Sequence, residues 1–216
     1  LGWCYTLDGQ FELAGEEFVK VANIITANRN DLLRNLGKCI LRCCIGFNDL
    51  DAAESFFLRV MERIKPEVRT VLMNVTGYVD GSSRFRSVLL TELGWVYYHS
   101  DDYAKARDHF EMVLTTYPEN TDALRGRGWV NYQEKKYKDS IEDFKQALEH
   151  TPSNSEDLIQ QIHRGLGWCY TLDGQEEYEK AREHFETVLK TSLENTDALR
   201  GRGFWRDLLT VGHRWL

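Results

Sequence analysis

The chain has 216 residues, of which 42% are hydrophobic and 28% are charged, so it is long enough for one or two domains and apolar enough to bury a core. This balance excludes an intrinsically disordered chain. The formal net charge of −7 argues against a general nucleic-acid-binding surface, because phosphate binding needs a positive field.

The sequence also argues against a membrane-spanning protein and against a disulfide-stabilised one. The sequence contains no run of about 18 apolar residues, so no membrane span is predicted. Five cysteines without disulfide-framework spacing indicate a reducing compartment, and we expect a cytoplasmic protein. Cys39 and Cys43 could share a helix face, but no CxxC pair or HxxxH partner completes a metal site. We therefore predict small buried cysteines, with no metal and no cofactor.

Helix is the expected element throughout, because three prolines and abundant Glu, Lys, Leu and Ala favour it. From the first residue onward the chain repeats itself. "LGWCYTLDGQ" at Leu1–Gln10 recurs unchanged at Leu166–Gln175, and "ENTDALRGRG" at Glu119–Gly128 recurs at Glu194–Gly203. Self-similarity of this kind predicts an array of stacked repeats.

Each repeat contains one glycine at a fixed position, which serves as its anchor. In the two central repeats the corresponding residues are 34 positions apart. The first consists of Gly94, Tyr103, Ala106, Phe110, Leu114 and Pro118, and the second of Gly128, Tyr137, Ser140, Phe144, Leu148 and Pro152. A third holds Gly167, Tyr178, Ala181, Phe185 and Leu189, with a short insertion near Gln175. We name these the Gly94, Gly128 and Gly167 repeats.

This pattern resembles that of the tetratricopeptide repeat family, well over residues 87–193 and more loosely over residues 1–66. The resemblance implies an all-α fold, a right-handed superhelical solenoid of antiparallel helix pairs. It also implies that the first helices of the pairs line a concave groove. Asn131 departs from the pattern, because the family usually has an aromatic residue there.

The residues support helix pairs independently of the resemblance. Second helices are predicted over 102–115, 138–149 and 178–190, each with an apolar stripe that a single pair could not bury alone. Asn120 or Thr121 is positioned to cap the next first helix. Gly128, inside the "RGRG" motif, is predicted where the first helix crosses the second, so close packing would offset its low helix propensity.

The predicted organisation has four parts. Residues 1–66 form degenerate helix pairs, residues 67–86 a non-repeat insertion, residues 87–193 the well-matched repeats, and residues 194–216 a partial repeat or capping helix. In the insertion we expect a helix and then an irregular connection, with a turn at Asp80–Ser83. It could be a plain insertion or a docking element. Both ends of the chain look like cuts in a longer array.

A cation and an aromatic residue stand four residues apart on the first helices, as in Arg125 and Trp129. The candidate binding residues are Trp95, Tyr98, Arg125, Trp129, Tyr132, Arg164, Trp168, Arg200 and Phe204. One interpretation is a groove that binds a partner peptide or helix with acidic and apolar groups. The other is that each arginine packs on its own tryptophan and serves only the fold.

No enzyme is predicted, because the six histidines are scattered and no nucleophile, base and orienting acid share a local context. The expected function is a non-catalytic protein–protein interaction scaffold. Self-association through the open ends is the alternative, and an RNA-binding helical repeat is disfavoured by the acidity of the chain. The family's clamp for chaperone tails needs a lysine and an asparagine where this chain has arginine or threonine and tryptophan, so that activity is not predicted.

Overall fold

The computed structural model describes residues 9–26, 29–47, 50–76, 82–173 and 178–203. Every regular element in these ranges is a helix, and none of the residues they contain is in a strand. The predicted all-α helical-repeat fold is therefore confirmed. The chain divides into two compact units, an N-terminal unit, Leu1–Leu93, and a C-terminal unit, Gly94–Leu216.

Helices follow one another with short connections. The helices are α1 (Phe11–Ile24), α2 (Asn30–Ile45), α3 (Leu50–Glu62), α4 (Pro66–Thr76), α5 (Ser82–His99), α6 (Tyr103–Thr116), α7 (Thr121–Gln133), α8 (Tyr137–His150), α9 (Glu156–Asp173) and α10 (Tyr178–Thr191). A further helical stretch covers residues 196–203. The division between the two units falls inside α5.

The N-terminal unit is built around α2, which packs against α1, α3 and α4. Its core includes fully buried aromatic and aliphatic side chains from successive helices, among them Leu33, Ile40, Phe56, Phe57 and Leu72. Ala14, Phe18 and Ala53, which stand at repeat positions in the sequence, are buried as well.

Residues 67–86 contain the expected helix, but part of the expected turn is helical instead. Helix α3 ends at Glu62 and a separate helix begins at Pro66, a residue well suited to the first helical turn because it has no N–H to leave unpaired. Ser82 already begins α5, so the expected turn residues Ser82 and Ser83 are helical. Asp80 lies outside the described residues.

In the C-terminal unit each helix packs against the next, from α6 to α10, and α7 also contacts α9. The second helices α6, α8 and α10 begin and end within one residue of the predicted bounds. Helix α9 has 18 residues where α7 has 13, so this first helix is longer by more than one turn. The short insertion expected near Gln175 lies outside the described residues.

The anchor glycines lie against buried phenylalanines. A Cβ atom at Gly94 would be 2.6 Å from the Phe110 ring, at Gly128 3.1 Å from Phe144, and at Gly167 2.7 Å from Phe185. The predicted close crossing of first and second helices is thereby confirmed.

The links between paired helices use a left-handed residue at a fixed place. Asp101 and Lys135, seven residues after their anchor glycines, have φ angles of 60° and 63°, and Gly9 has a φ of 71°. Two links from second to first helices instead end in a side-chain cap. The Asn120 side chain accepts a hydrogen bond of 2.9 Å from the Ala123 amide, and Asn195 accepts one of 3.0 Å from Ala198. Asn120, one of the two predicted caps, therefore begins α7.

Candidate functional site

Three tryptophans form equivalent contacts on the first helices of the C-terminal unit. Their rings lie edge-on to the phenylalanine of the same repeat: Trp95 to Phe110 at 5.4 Å between ring centres, Trp129 to Phe144 at 5.3 Å, and Trp168 to Phe185 at 5.3 Å. Each tryptophan is half-buried, while each phenylalanine is completely buried. The core thus holds one side of each indole and leaves the rest accessible.

Two tyrosines extend this set of rings by about one turn of helix. Tyr98 packs edge-on against Trp95 at 5.6 Å, and Tyr132 against Trp129 at 5.4 Å. The Tyr98 hydroxyl accepts a 3.0 Å hydrogen bond from the Gln133 amide, which connects α5 to α7. We call Trp95, Tyr98, Trp129, Tyr132 and Trp168 the aromatic face.

The hydroxyl groups of Tyr98 and Tyr132 both have raised pKa values. Partial burial raises the pKa of Tyr98, and the positive charge of Arg164 partly opposes that increase. Arg164 belongs to α9, two first helices away from α5. Partial burial raises the pKa of Tyr132 to about 12, so this hydroxyl is neutral at physiological pH.

The arginines do not stack on the tryptophan of their own helix. The guanidinium of Arg125 lies 4.4 Å from the ring centre of Trp95, in the preceding repeat, and that of Arg164 lies 5.9 Å from Trp129. The interpretation in which each arginine packs on its own tryptophan is therefore wrong. Each of these arginines stacks on the tryptophan of the preceding repeat.

The same arginines also reach forward to the following first helix. Arg125 Nη1 donates a 2.8 Å hydrogen bond to Gln161 Oε1, and Arg164 Nη1 donates one of 3.1 Å to Asp197 Oδ2. Arg125 Nη2 also pairs with Asp122 of its own helix at 2.9 Å. Each of these guanidinium groups therefore joins three successive first helices.

The structure accounts for eight of the nine candidate residues. Seven are half-buried and belong to the aromatic face or its two arginines, while Arg200, in the stretch 196–203, is exposed. Phe204 lies outside the described residues. The structure thus brings together the candidates on α5, α7 and α9.

Sequence reasoning did not identify the acceptors that hold the arginines. Asp122, Gln161 and Asp197 each stand three residues before the arginine of their repeat, at equivalent positions. That spacing was the available signal, since residues three apart on a helix share a face. What the spacing did not show was that the arginine of one repeat would use the acceptor of the next.

A second polar cluster lies on the opposite side of α7 and explains the unusual Asn131. Its amide donates a 2.8 Å hydrogen bond to Asp143, and its oxygen accepts one of 2.8 Å from Arg107. Arg127 holds the Asp143 carboxylate in a bidentate pair, with Nη2 at 2.6 Å. Burial raises the pKa of Asp143, and the bonds from Arg127 and Asn131 oppose that increase. The polar cluster thus joins α6, α7 and α8.

Histidines occupy the place of Asp143 in the neighbouring repeats. His109 stacks on Tyr97 at 5.2 Å and His184 stacks on Tyr170 at 5.6 Å between ring centres. His184 Nδ1 also lies 2.8 Å from His163 Nδ1, so one ring must donate and the other accept. Burial lowers the pKa of His109 and His163, and burial together with His163 and Lys145 lowers the pKa of His184 to about 4. These imidazoles are neutral packing groups in the folded protein.

Neither a metal centre nor a membrane helix is found in the described part of the chain. Its histidine, cysteine and carboxylate side chains form no group of three that could bind a metal ion. None of its helices combines the length and the apolar character needed to cross a bilayer.

A family model described as tetratricopeptide repeat matches residues 91–155. This range contains the Gly94 and Gly128 anchors, the polar cluster and most of the aromatic face. No curated protein matches the sequence.

Several solved structures are similar to this chain at low identity. The first tetratricopeptide repeat domain of Spaghetti (RPAP3), bound to the HSP90 peptide SRMEEVD, is 19% identical, has a TM-score of 0.51, and aligns over 58% of this chain and 94% of its own. The N-terminal domain of stress-induced protein-1 (STI-1) from C. elegans is 16% identical over 59% of this chain and 99% of its own, with a TM-score of 0.49. MamA AMB-1 is 19% identical over 87% of this chain and 92% of its own, with a TM-score of 0.45.

At such low identity, the Spaghetti domain shows a shared fold and nothing about ligands. Tetratricopeptide repeat proteins are generally non-catalytic scaffolds. The recurring Gly–Phe contacts, the paired helices and the sequence match over residues 91–155 agree with one another. Residues 91–155 therefore match the tetratricopeptide repeat family, and the fold of the chain resembles that of its solved members.

Proposed function

We propose that this protein is a non-catalytic scaffold that binds a segment of a partner protein, as a peptide or a helix, along the aromatic face. The observation that carries the proposal is the series of half-buried rings on three successive first helices, α5, α7 and α9. Partner segments bind well to surfaces of this kind, because large aromatic side chains concentrate binding energy in a few contacts.

The aromatic face is held in place before any partner arrives. Each tryptophan is supported by a buried phenylalanine, and each tyrosine is supported by the tryptophan of its own helix. Rings fixed in this way lose little conformational freedom on binding, so more of the contact energy remains as affinity. Leu172, four residues after Trp168 on α9, is 45% exposed and adds apolar area beside the rings.

The solved Spaghetti domain supports the proposal at the level of the fold. That domain was solved with the HSP90 peptide SRMEEVD bound, and its fold aligns with 58% of this chain. We propose a protein segment as the partner here too, while the chemistry of that segment follows from the side chains of this chain.

The experiment selects binders from a random library of peptides about twelve residues long against the full chain. Trp129→Ala should weaken the selected peptides by at least about tenfold, as expected of an interface hot spot. Leu172→Glu tests the same face at an exposed position, where the change should leave folding intact. Met112→Ala is the matched control, because Met112 is 52% exposed on α6, a second helix.

Circular dichroism and urea unfolding of each variant separate lost binding from lost folding. The proposal would be contradicted if the selected peptides bound the Trp129→Ala and Leu172→Glu variants as tightly as the unmodified chain. Light scattering across protein concentrations tests the alternative of self-association. RNA binding that weakens steeply with salt would instead indicate a nucleic-acid-binding repeat.

A further inference from the structure

The two arginines beside the aromatic face are already engaged within the chain. Arg125 stacks on Trp95, donates to Gln161 and pairs with Asp122, and its side chain is only 16% exposed. Arg164 stacks over Trp129 and pairs with Asp197, with 32% of its side chain exposed. Each guanidinium thus already contacts a tryptophan ring and a carboxylate of the chain itself.

Carboxylates of the chain itself balance the charge of these arginines. A partner carboxylate would compete with Asp122 for Arg125 and with Asp197 for Arg164, and could exchange with either aspartate. Such an exchange replaces one ion pair by another and leaves an aspartate without its partner, so the net gain is small. With a formal net charge of −7, the whole chain also repels an acidic partner at long range.

The aromatic rings and Leu172 remain available for contact. Binding to these groups buries apolar surface, which is favourable. The free energy gained in this way depends much less on ionic strength than that of an exposed ion pair. The contacts of Arg125 and Arg164 connect their first helices to the one before and the one after, and so help to hold successive tryptophans in place.

On the basis of the proposed function, we infer that the aromatic face recognises a segment rich in apolar side chains, and that Arg125 and Arg164 are positioning residues. The sequence alone suggests an acidic partner that would bind these arginines. Their internal partners point instead to an apolar segment, with the arginines holding the tryptophans at the distance that the segment spans.

The test uses the full chain and those library peptides that lose affinity on Trp129→Ala. We expect these peptides to be enriched in aromatic and aliphatic residues, and their Kd to change by less than about twofold between about 50 and 500 mM salt. The acidic peptide SRMEEVD is the opposing probe, and it should bind more weakly than they do.

The arginines are tested by Arg164→Met and Arg164→Lys. If Arg164 is a positioning residue, both substitutions should lower the affinity for the peptides. Even lysine should do so, because it lacks the planar group that stacks on Trp129 and donates a hydrogen bond to Asp197. The salt response should stay flat in both variants. A charge–charge contact with the partner would instead give a steep salt response that lysine keeps and methionine removes.

Two results have different meanings. Acid-rich peptides with salt-sensitive affinity would overturn the inference while leaving the aromatic face as the binding site. A library that yields no peptide sensitive to Trp129→Ala would overturn the proposed function, and the inference with it.

Discussion

Gly126 lies directly against the ring of Phe110, which belongs to the second helix of the preceding repeat. Two residues later, Gly128 lies against Phe144 of its own repeat. The two glycines of the "RGRG" motif thus face two different phenylalanines, one on each side of α7. The same arrangement recurs at Gly165 and Gly167, whose neighbours are Phe144 and Phe185.

Substitution of the first glycine should be costly. A Cβ atom at Gly126 would overlap the Phe110 ring, which is fully buried and held on its other side by Gly94 and Trp95. We therefore expect Gly126→Ala to lower the free energy of unfolding by about 1–3 kcal/mol, the usual cost of overpacking. Urea unfolding followed by circular dichroism measures this directly.

Gly128→Ala is the matched comparison on the same helix. Its Cβ atom would be 3.1 Å from Phe144, tight but within reach of a small adjustment. Alanine also gains roughly 1 kcal/mol in helix propensity over glycine, which offsets much of the crowding. Equal losses of stability at the two positions would contradict the distinction drawn here.

The effects of substituting members of the polar cluster around Asn131 on stability should depend on one another. Asp143→Ala leaves the half-buried Arg127 without its carboxylate and should destabilise the protein by about 2–4 kcal/mol. The flanking repeats have another solution at the same positions, namely Leu, Tyr and His. We expect the triple change Arg127→Leu, Asn131→Tyr and Asp143→His to recover most of the stability that Asp143→Ala loses.

Chemical unfolding of the three single variants and the triple variant provides the measurement. A triple variant no more stable than Asp143→Ala would show that the Leu–Tyr–His set does not fit between α6 and α8. In that case the surrounding helices, and not the three side chains alone, would decide which set packs.

The buried histidines should make stability depend on pH. In the folded protein the pKa of His184 is lowered from 6.5 to about 4, mainly by burial and then by His163 and Lys145. Between these two values the unfolded chain binds more protons than the folded chain, so the free energy of unfolding rises with pH. This contribution is complete above pH 6.5 and is lost as the pH falls toward 4.

Urea midpoints measured at several pH values between 4 and 7 test this dependence. His184→Gln should reduce the slope across the window, because it removes one of the titrating groups. His150→Gln is the control, since His150 lies exposed at the end of α8. The same slope in the His184→Gln variant and the unmodified chain would contradict the assignment.

The turn between α7 and α8 offers a stabilising change. Lys135 has a φ of 63°, a conformation that costs about 1–2 kcal/mol for a residue with a Cβ atom. Gly9 stands at the equivalent position with a φ of 71°. We expect Lys135→Gly to raise the urea midpoint, although glycine's greater freedom in the unfolded chain reduces the gain. The same substitution at the exposed Lys138, inside α8, should lower it.

Much of this fold could be predicted from the sequence, because its determinants are local or recur at a constant interval. The bounds of α6, α8 and α10 followed from apolar spacing, and the cap at Asn120 followed from its position before α7. The close crossing of two helices at Gly128 followed from the recurrence of the anchor glycine. The start of α5 at Ser82 was harder to anticipate, because residues 67–86 have no second copy in the chain with which to compare them.

The sequence by itself determined that the chain folds as stacked helix pairs, and it determined which side chains share a face of each first helix. Both depend on spacing along one helix, which the 3.6-residue period sets. Only the tertiary structure decided that Arg125 stacks on Trp95, that Arg164 binds Asp197, and that Asn131 joins a buried polar cluster. These contacts depend on how far one helix is shifted along its neighbour, and that shift is set by the packing of phenylalanine rings against glycines.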